Sequence, residues 1–153
     1  MSTRGVKFLE KQKIDFELIR YEHLEKGAAF AAKSTGFSLT QTIKTLVIDL
    51  GHKTYCLAML PGDKQLNLKK IAKVCGAKRS AMVDTITAER ITGYKVGGIS
   101  PFGTQQKMEA VLDSSLISFE SVLINAGQRG SLVRLSPADI RKSLNCRVED
   151  ISE

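Results

Sequence analysis

The sequence contains no tryptophan, and its 153 residues include only three cysteines, three prolines and two histidines. Cys56, Cys75 and Cys146 are widely separated and odd in number, which argues against a disulfide framework and a zinc knuckle. We expect them to be reduced thiols with incidental roles. His23 and His52 have no partner at metal-ligand spacing and are interpreted as surface residues. The sequence therefore predicts neither a metal site nor a cofactor.

Long hydrophobic runs and a catalytic nucleophile are also missing. No apolar stretch approaches the roughly 20 residues that a membrane span needs. The N-terminus, MSTRGVKFLEKQK, is charged throughout and lacks the apolar core of a signal peptide. We therefore expect a cytoplasmic protein with no membrane partner. No Ser-His-Asp set and no convincing carboxylate pair is present, so an enzyme with this sequence would work without a nucleophile of its own.

The composition is that of a folded domain. At 42% hydrophobic and 25% charged residues, it excludes a disordered tail, a collagen-like fibre and a coiled coil. The length predicts one domain over residues 1–153. There are 23 Lys+Arg against 16 Asp+Glu, a net charge of +7. This surplus suits a protein that approaches a polyanion, although a basic surface that only aids solubility is the alternative.

The order of the predicted elements is α-β-α-β-β-α-α-β-β-α. The clearest pattern is a hairpin, in which Ile43–Leu50 and Thr54–Leu60 flank a short turn that contains Gly51. Capping residues, Asn67 and Ser136, begin two of the predicted helices. The helices are Val6–Lys13, Gly27–Ser34, Asn67–Lys73, Asp84–Arg90 and Ser136–Leu144, and the other strands are Phe16–Tyr21, Val122–Ile124 and Leu132–Leu135. This order indicates a mixed α+β domain with helices around a central sheet.

Lys44 is the most informative single residue, because it lies inside the strand-like run Thr42–Ile48. A lysine in a buried strand is unfavourable unless its ammonium reaches an anion or a polar cavity. The alternative is a solvated strand face from which the side chain reaches water. The spacing leaves both interpretations open.

Two glycine-rich loops have a similar double interpretation. Gly97–Gly103 contains three glycines, a proline and Ser100, and its amides could hold an oxyanion or form a tight structural turn. It matches neither a Walker loop nor a dinucleotide fingerprint. Asn125–Gly130 is either a hairpin turn or a pocket wall. Tyr21 and Phe30 could be core residues or could stack on a nucleobase.

Five motifs then occur in a characteristic order: Lys44–Leu46, Gln65–Lys70, Thr92–Tyr94, Gly97–Gly103 and Asn125–Gly130. This order resembles the YbaK family, the free-standing relatives of the editing domain inserted in bacterial prolyl-tRNA synthetases. The segments Val6–Lys11 and Tyr21–His23 also resemble the bacterial Cys-tRNA(Pro) deacylases. The resemblance covers about residues 5 to 150.

The resemblance implies both a fold and an activity. The fold would be α+β, a single domain with a mostly antiparallel, barrel-like central sheet surrounded by helices. The activity would be trans-editing deacylation of Cys-tRNA(Pro), and also of Cys-tRNA(Cys). The partners would be the 3′ CCA end of aminoacyl-tRNA and prolyl-tRNA synthetase, and DNA would not be bound. The alternatives are a deacylase for Ala-tRNA(Pro) or another small residue, and a non-catalytic module that binds tRNA or a synthetase.

The resemblance also implies the site residues. Lys44, Gly97 and Gly98 would be catalytic, and the 3′ end of the tRNA would be bound by Tyr21, Phe30, Thr45, Ser100, Asn125, Gly127 and Arg129. The substrate's own cysteinyl thiol would attack its ester and release a thiolactone, with the protein supplying position and electrostatics. Some Cys-tRNA(Pro) deacylases have an acidic residue two places after the Arg-Gly pair. Leu132 stands there in this chain, which removes a possible partner for the ammonium of the aminoacyl group.

Overall fold

The computed structural model describes residues 3–22 and 27–153, so the prediction for His23 lies outside the described residues. Those residues form five α-helices and eight strands. The helices are α1 Arg4–Lys11, α2 Ala28–Thr35, α3 Leu68–Val74, α4 Thr85–Thr92 and α5 Pro137–Leu144. The strands are β1 Glu17–Arg20, β2 Ile43–Asp49, β3 Tyr55–Pro61, β4 Ala81–Met82, β5 Glu109–Asp113, β6 Val122–Gln128, β7 Ser131–Leu135 and β8 Arg147–Glu149.

The predicted helix starts are confirmed by their caps. The Asn67 side chain accepts hydrogen bonds from the first-turn amides of α3, the Asp84 carboxylate accepts one from Thr87 N, and the Ser136 hydroxyl accepts one from Asp139 N. Each cap satisfies an amide that the helix itself leaves without a partner. Two boundaries differ most from the prediction. The first helix spans Arg4–Lys11, and Lys13 lies beyond it with a φ of 58°, while the strand predicted to end at Ile124 continues to Gln128.

The strands divide between two sheets. One has the order β4-β2-β3-β5-β8 and the other β1-β7-β6. An isolated parallel bridge between Thr42 and Leu123 joins them. The expected barrel-like closure is not found in residues 3–22 and 27–153. Within those ranges four of the six strand pairs are antiparallel, whereas β3–β5 and β5–β8 are parallel. The sequence analysis missed β4, β5 and β8, so the predicted element order is incomplete.

The β2 strand is covered on both faces. Val47 belongs to the main apolar cluster, which also holds Leu9, Phe102 and Ile140. The next residue along, Ile48, belongs to a second cluster beneath α3. Because successive side chains of a strand point to opposite faces, Lys44 shares the face of Ile48. No helix of the described residues is long and apolar enough to cross a membrane.

Candidate active site

A cavity of about 280 Å³ lies where the edge of β2 meets the second sheet. Its walls come from segments that are far apart in sequence. They are residues 42–47 around β2, the start of α2, the segment from β4 into α4, the loop before Ser100, and single residues of β6 and β7. The cavity therefore exists only when both sheets are assembled.

The edge of β2 is open along this cavity. β4 pairs only with Ile48 and Asp49, at the far end of the strand. At the near end, the carbonyl of Thr42 accepts a hydrogen bond from Gly62 N, which belongs to the β3 side. In an antiparallel pair alternate residues direct their peptide groups to the same neighbour. The peptide groups of Thr45 therefore point away from β3, towards the open edge and the cavity.

Lys44 lines this cavity with a half-buried side chain. Burial lowers the pKa of its ammonium, and attraction to the Asp63 carboxylate offsets part of that shift. Asp63 accepts a hydrogen bond from the Thr40 hydroxyl at 3.3 Å. Within residues 3–22 and 27–153 no carboxylate lies within 4 Å of the Lys44 ammonium. The cation is thus available to a ligand.

Thr45 also lines the cavity, and its hydroxyl is the second polar group of interest. This hydroxyl is buried and has no hydrogen-bond partner. Among the described residues it is the one buried side-chain polar atom without a partner. A buried polar group without a partner is unfavourable by about 1–3 kcal/mol. A ligand that hydrogen-bonds to Thr45 would remove this penalty.

Two side chains hold the Gly97 loop against the turn between β6 and β7. Arg129 donates from Nε and Nη2 to the carbonyl of Val96, at 2.9 and 2.8 Å. Asn125 Nδ2 donates to the carbonyl of Gly97 at 3.0 Å. A register shift in β6 between Asn125 and Gln128 marks a bulge, a feature that often redirects a side chain beside a site. Both loop carbonyls are therefore fixed in direction.

Half of the predicted site residues line the cavity: Tyr21, Lys44, Thr45, Gly97 and Asn125. Tyr21 follows β1, and its amide donates to the carbonyl of Gly130 at 2.9 Å. Burial raises the pKa of its hydroxyl, which therefore stays protonated and can donate a hydrogen bond at neutral pH. The Phe30 ring lies 6.4 Å from the Tyr21 ring, so it packs against this residue without lining the cavity.

The other predicted residues have contacts of their own outside the cavity. The Ser100 hydroxyl is fully buried and accepts a hydrogen bond from Phe102 N at 3.1 Å. Gly98 donates its amide to the carbonyl of Lys95, so this amide is already engaged. Gly127, with a φ of 106°, packs so closely on Tyr94 that a Cβ would lie 2.6 Å from that ring. Arg129 acts on the loop, as described above.

The sequence analysis missed the wall formed by β4 and α4, which includes Met82, Val83, Asp84, Thr85 and Ala88. Its only signal was the capping pattern at Asp84, which is typical of any helix start. Opposite this wall, Leu132 is buried and lines the cavity together with Ala31. Leu132, which stands where some Cys-tRNA(Pro) deacylases have an acidic residue, is therefore an apolar part of the site.

No cysteine of the described chain lines the cavity. Cys56 lies in the apolar cluster beneath α3, where a hydrogen bond to Cys75 and burial raise the pKa of its thiol. The same hydrogen bond lowers the pKa of Cys75. Burial raises the pKa of Cys146 to about 11. The three cysteines thus lie outside the cavity.

The fold places the chain in a class of small mixed α/β domains. A solved structure described as a "putative trans-editing enzyme for prolyl tRNA synthetase" superposes with a TM-score of 0.89 over 98% of this chain and 95% of that one, at 24% identity. The sequence model of the aminoacyl-tRNA editing domain matches residues 24–143. The chain belongs to the aminoacyl-tRNA editing domain family.

Relatives within this family differ in the substrates that their names give. The chain is 30% identical to the "Putative Cys-tRNA(Pro)/Cys-tRNA(Cys) deacylase EbsC" of Enterococcus faecalis, covering 98% of this chain and 93% of the relative. It is 29% identical to the "Multifunctional Ser/Thr-tRNA deacylase ProXp-y" of Escherichia coli, covering 89% and 83%. A proline–tRNA ligase of Desulforamulus reducens is 26% identical over 74% of this chain, which corresponds to 20% of the ligase.

Proposed function

We propose that this protein is a trans-editing deacylase that removes cysteine from Cys-tRNA(Pro), with cleavage of the ester in the cavity beside β2. One observation carries the proposal: two residues of the same small cavity have polar groups without partners in the described residues, Lys44 with an ammonium that forms no ion pair and Thr45 with a buried hydroxyl that forms no hydrogen bond. An aminoacyl ester offers oxygens to the Lys44 ammonium and a hydrogen-bonding group to the Thr45 hydroxyl. The reaction needs aminoacyl-tRNA, so we place it in the cytoplasm.

The proposed chemistry uses the substrate's thiol as the nucleophile. Its sulfur forms a bond to the ester carbonyl carbon, the bond from that carbon to the ribose oxygen breaks, and the thiol proton ends on the ribose oxygen. The products are a cyclic thiolactone and uncharged tRNA. None of Cys56, Cys75 and Cys146 lines the cavity, which supports a mechanism without a protein thiolate.

In this proposal Lys44 stabilises the negative charge that develops on the ester carbonyl oxygen. A preorganised donor of this kind contributes about 10²–10³ in rate. Thr45 hydrogen-bonds the substrate, while Gly97 lets its backbone approach the ester closely. Arg129 and Asn125 are positioning residues, since they fix the loop carbonyls on either side of the Gly97 α-carbon. Holding the thiol close to its own ester adds a gain in effective molarity.

The apolar walls support a small side chain in the substrate. Ala31, Ala88 and Leu132 line the cavity, and no acidic group is present at Leu132 to pair with the substrate's ammonium. The Ser/Thr-tRNA deacylase among the relatives supports a second candidate, the removal of serine or threonine. The unpartnered Thr45 hydroxyl favours it, because it could bind the substrate's own hydroxyl. In that case water or the ribose hydroxyl would attack the ester.

A panel of mischarged tRNAs tests the proposal. Single-turnover release is measured for Cys-, Ala-, Ser- and Thr-tRNA(Pro) with the wild-type protein, and the products are identified by mass spectrometry. The proposal predicts fastest release from Cys-tRNA(Pro), with thiolactone as the first product. Faster release from Ser- or Thr-tRNA(Pro) would support the second candidate. Adding prolyl-tRNA synthetase to the assay tests the proposed partner, which should raise the rate with tRNA(Pro) substrates.

A further inference from the structure

A second groove, of about 400 Å³, lies between α3 and the segment that follows it. Its lining contains four basic side chains, Lys69, Lys73, Lys78 and Arg79, and no acidic residue. All four are exposed, and within residues 3–22 and 27–153 none has a carboxylate within 4 Å. The groove therefore holds four of the chain's 23 Lys and Arg residues with no acidic residue in its lining.

The helix arrangement separates these cations from the neighbouring ion pair. Lys69 and Lys73 are four residues apart and lie on one face of α3. Lys70 is directed elsewhere, since its ammonium contacts Asp150 at 2.9 Å and the carbonyl of Ser152 at 2.8 Å. The other wall is fixed as well, because the Ser80 hydroxyl donates to the carbonyl of Leu68 at 2.6 Å. The basic groove is thus a built surface.

The groove leads directly to the candidate active site. After Ser80 the chain enters β4, and Met82 at the end of that strand already lines the cavity. Two residues of extended chain span about 7 Å. A ligand that leaves the cavity past Met82 would therefore meet the lining of the groove at Ser80.

Apolar side chains accompany the cations along this path. Leu68 in the groove is 39% exposed, and Met82 at the cavity is 51% exposed. Phosphates are attracted by lysine and arginine, whereas unstacked bases need an apolar surface to cover their faces. Alternating cationic and apolar exposed groups match a single-stranded nucleic acid better than an acidic peptide, which offers charge without aromatic faces.

We propose that this groove binds the phosphate backbone of the single-stranded 3′ end of the tRNA whose aminoacyl ester lies in the cavity. The proposal rests on the proposed function for its occupant. It adds the path by which the tRNA leaves the site: over Met82, along Ser80 and into the cluster of Lys69, Lys73, Lys78 and Arg79.

The test uses a variant in which the four groove cations become glutamine, Lys69→Gln, Lys73→Gln, Lys78→Gln and Arg79→Gln. The control carries Arg141→Gln and Lys142→Gln on α5, which are exposed and lie outside both the groove and the cavity. The value of kcat/KM for Cys-tRNA(Pro) is measured against salt concentration. We expect the groove variant to lose at least about tenfold at low salt. Its log–log salt slope should become shallower by about 0.7 for each phosphate contact removed. The control should match the wild type.

A second arm separates this proposal from the proposed function. Cysteinyl-adenosine carries the ester without the phosphates of the 3′ end, so the groove variant should cleave it as fast as the wild type does. Equal kcat/KM and salt slopes for tRNA in wild type and groove variant would overturn the groove proposal alone. An equal loss in the α5 control would also overturn it, since the attraction would then be diffuse. If the wild type cleaves neither Cys-tRNA(Pro) nor cysteinyl-adenosine, the proposed function is wrong.

A binding measurement gives an outcome that does not depend on catalysis. A fluorescent oligonucleotide with the sequence ACCA is titrated into both proteins, with poly-glutamate as a competing polyanion. We expect weaker oligonucleotide binding by the groove variant and little competition from poly-glutamate. Tighter binding of poly-glutamate than of the oligonucleotide would contradict the proposal and indicate an acidic protein partner.

Discussion

Lys44 occupies a strand position at which Leu46 and Ile48, on the same face, pack against the apolar cluster beneath α3. Its side chain is half-buried, and in the described residues no carboxylate lies within 4 Å of its ammonium, so only the more distant Asp63 offsets part of the burial. An apolar side chain would suit the folded state better. Retention of a cation here is therefore best explained by a ligand that it contacts.

The first prediction follows from this conflict between stability and function. Lys44→Met should lower the rate of deacylation by at least about 100-fold, the effect of removing one preorganised donor. Its free energy of unfolding at pH 7 should equal or exceed that of the wild type. Lys53→Met, an exposed change in the turn at the other end of the same hairpin, is the matched control and should alter neither quantity. A Lys44→Met protein that is folded and fully active would refute the role of Lys44.

The second prediction concerns pH. Burial lowers the pKa of Lys44 in the folded protein below its ordinary value of 10.5, so in that interval the unfolded chain binds more protons than the folded one. Stability from this group therefore rises as pH increases through the interval and is lowest below it. Any stability advantage of Lys44→Met over the wild type should shrink as pH approaches 10.5. Urea unfolding at a series of pH values measures this difference, and a widening gap would contradict it.

The third prediction concerns the thiols. A variant with Cys56→Ala, Cys75→Ala and Cys146→Ala should keep the rate of the chemical step, because the nucleophile belongs to the substrate. It should melt at a lower temperature, since Cys56 and Cys146 are buried. Replacing the substrate's cysteine by serine should slow release sharply, because a hydroxyl is a poorer nucleophile than a thiol. A folded but inactive cysteine-free protein would require a nucleophile from the chain.

At the scale of elements, the loop with Gly97 and Gly98 depends on its contact with the turn between β6 and β7. Gly97 has a φ of 93°, and a Cβ there would lie 2.7 Å from Arg129 Nε, the movable part of a side chain. A Cβ on Gly98 would instead lie 3.0–3.1 Å from the backbone of Gln128 and Arg129, which cannot move without opening the turn. The two adjacent glycines are thus required for different reasons.

The fourth prediction uses this difference. Gly97→Ala should lower the free energy of unfolding by about 1–2 kcal/mol through its left-handed backbone, and it should reduce deacylation further because it displaces Arg129. Gly98→Ala should act mainly on stability by separating the loop from the turn. Denaturation and single-turnover rates of both variants are compared under conditions where each is folded. Equal ratios of activity loss to stability loss would show that the loop has only a structural role.

Local patterns predicted the elements that local chemistry determines. The β2–β3 hairpin follows from its turn and its β-rich flanks, and the caps at Asn67, Asp84 and Ser136 fix three helix starts. β5 was missed because Glu109–Asp113 is five residues long with an acid at each end, and its partners β3 and β8 are distant in sequence. Parallel pairing of this kind depends on tertiary packing rather than on any local signal.

The candidate site was predictable to the same extent. Lys44 could be singled out because a lysine within an apolar strand is unusual, and the family resemblance added Thr45, Tyr21, Gly97 and Asn125. The Ser100 hydroxyl could not be assigned, since its hydrogen bond to Phe102 N appears only in the folded loop. The wall formed by Met82 and Asp84 gave no signal, because its place beside β2 results from the pairing of β4.

In the whole molecule, the two sheets contribute different residues to the candidate site. The five-stranded sheet carries Lys44 and Thr45 on β2, while the three-stranded sheet carries Asn125 and Leu132. Four exposed cations line the groove beside α3, on the proposed path of the tRNA end. A tRNA end bound in this way would present its ester to the junction of the sheets.

The most direct measurement of the central claim is the rate at which the wild-type protein and Lys44→Met release the amino acid from Cys-tRNA(Pro). Both are compared with the spontaneous rate and with Ala-, Ser- and Thr-tRNA(Pro) under single-turnover conditions. The account predicts rapid release of cysteine as its thiolactone by the wild type and a loss of at least about 100-fold in Lys44→Met. Spontaneous rates for all four substrates, or equal rates for the two proteins, would contradict it.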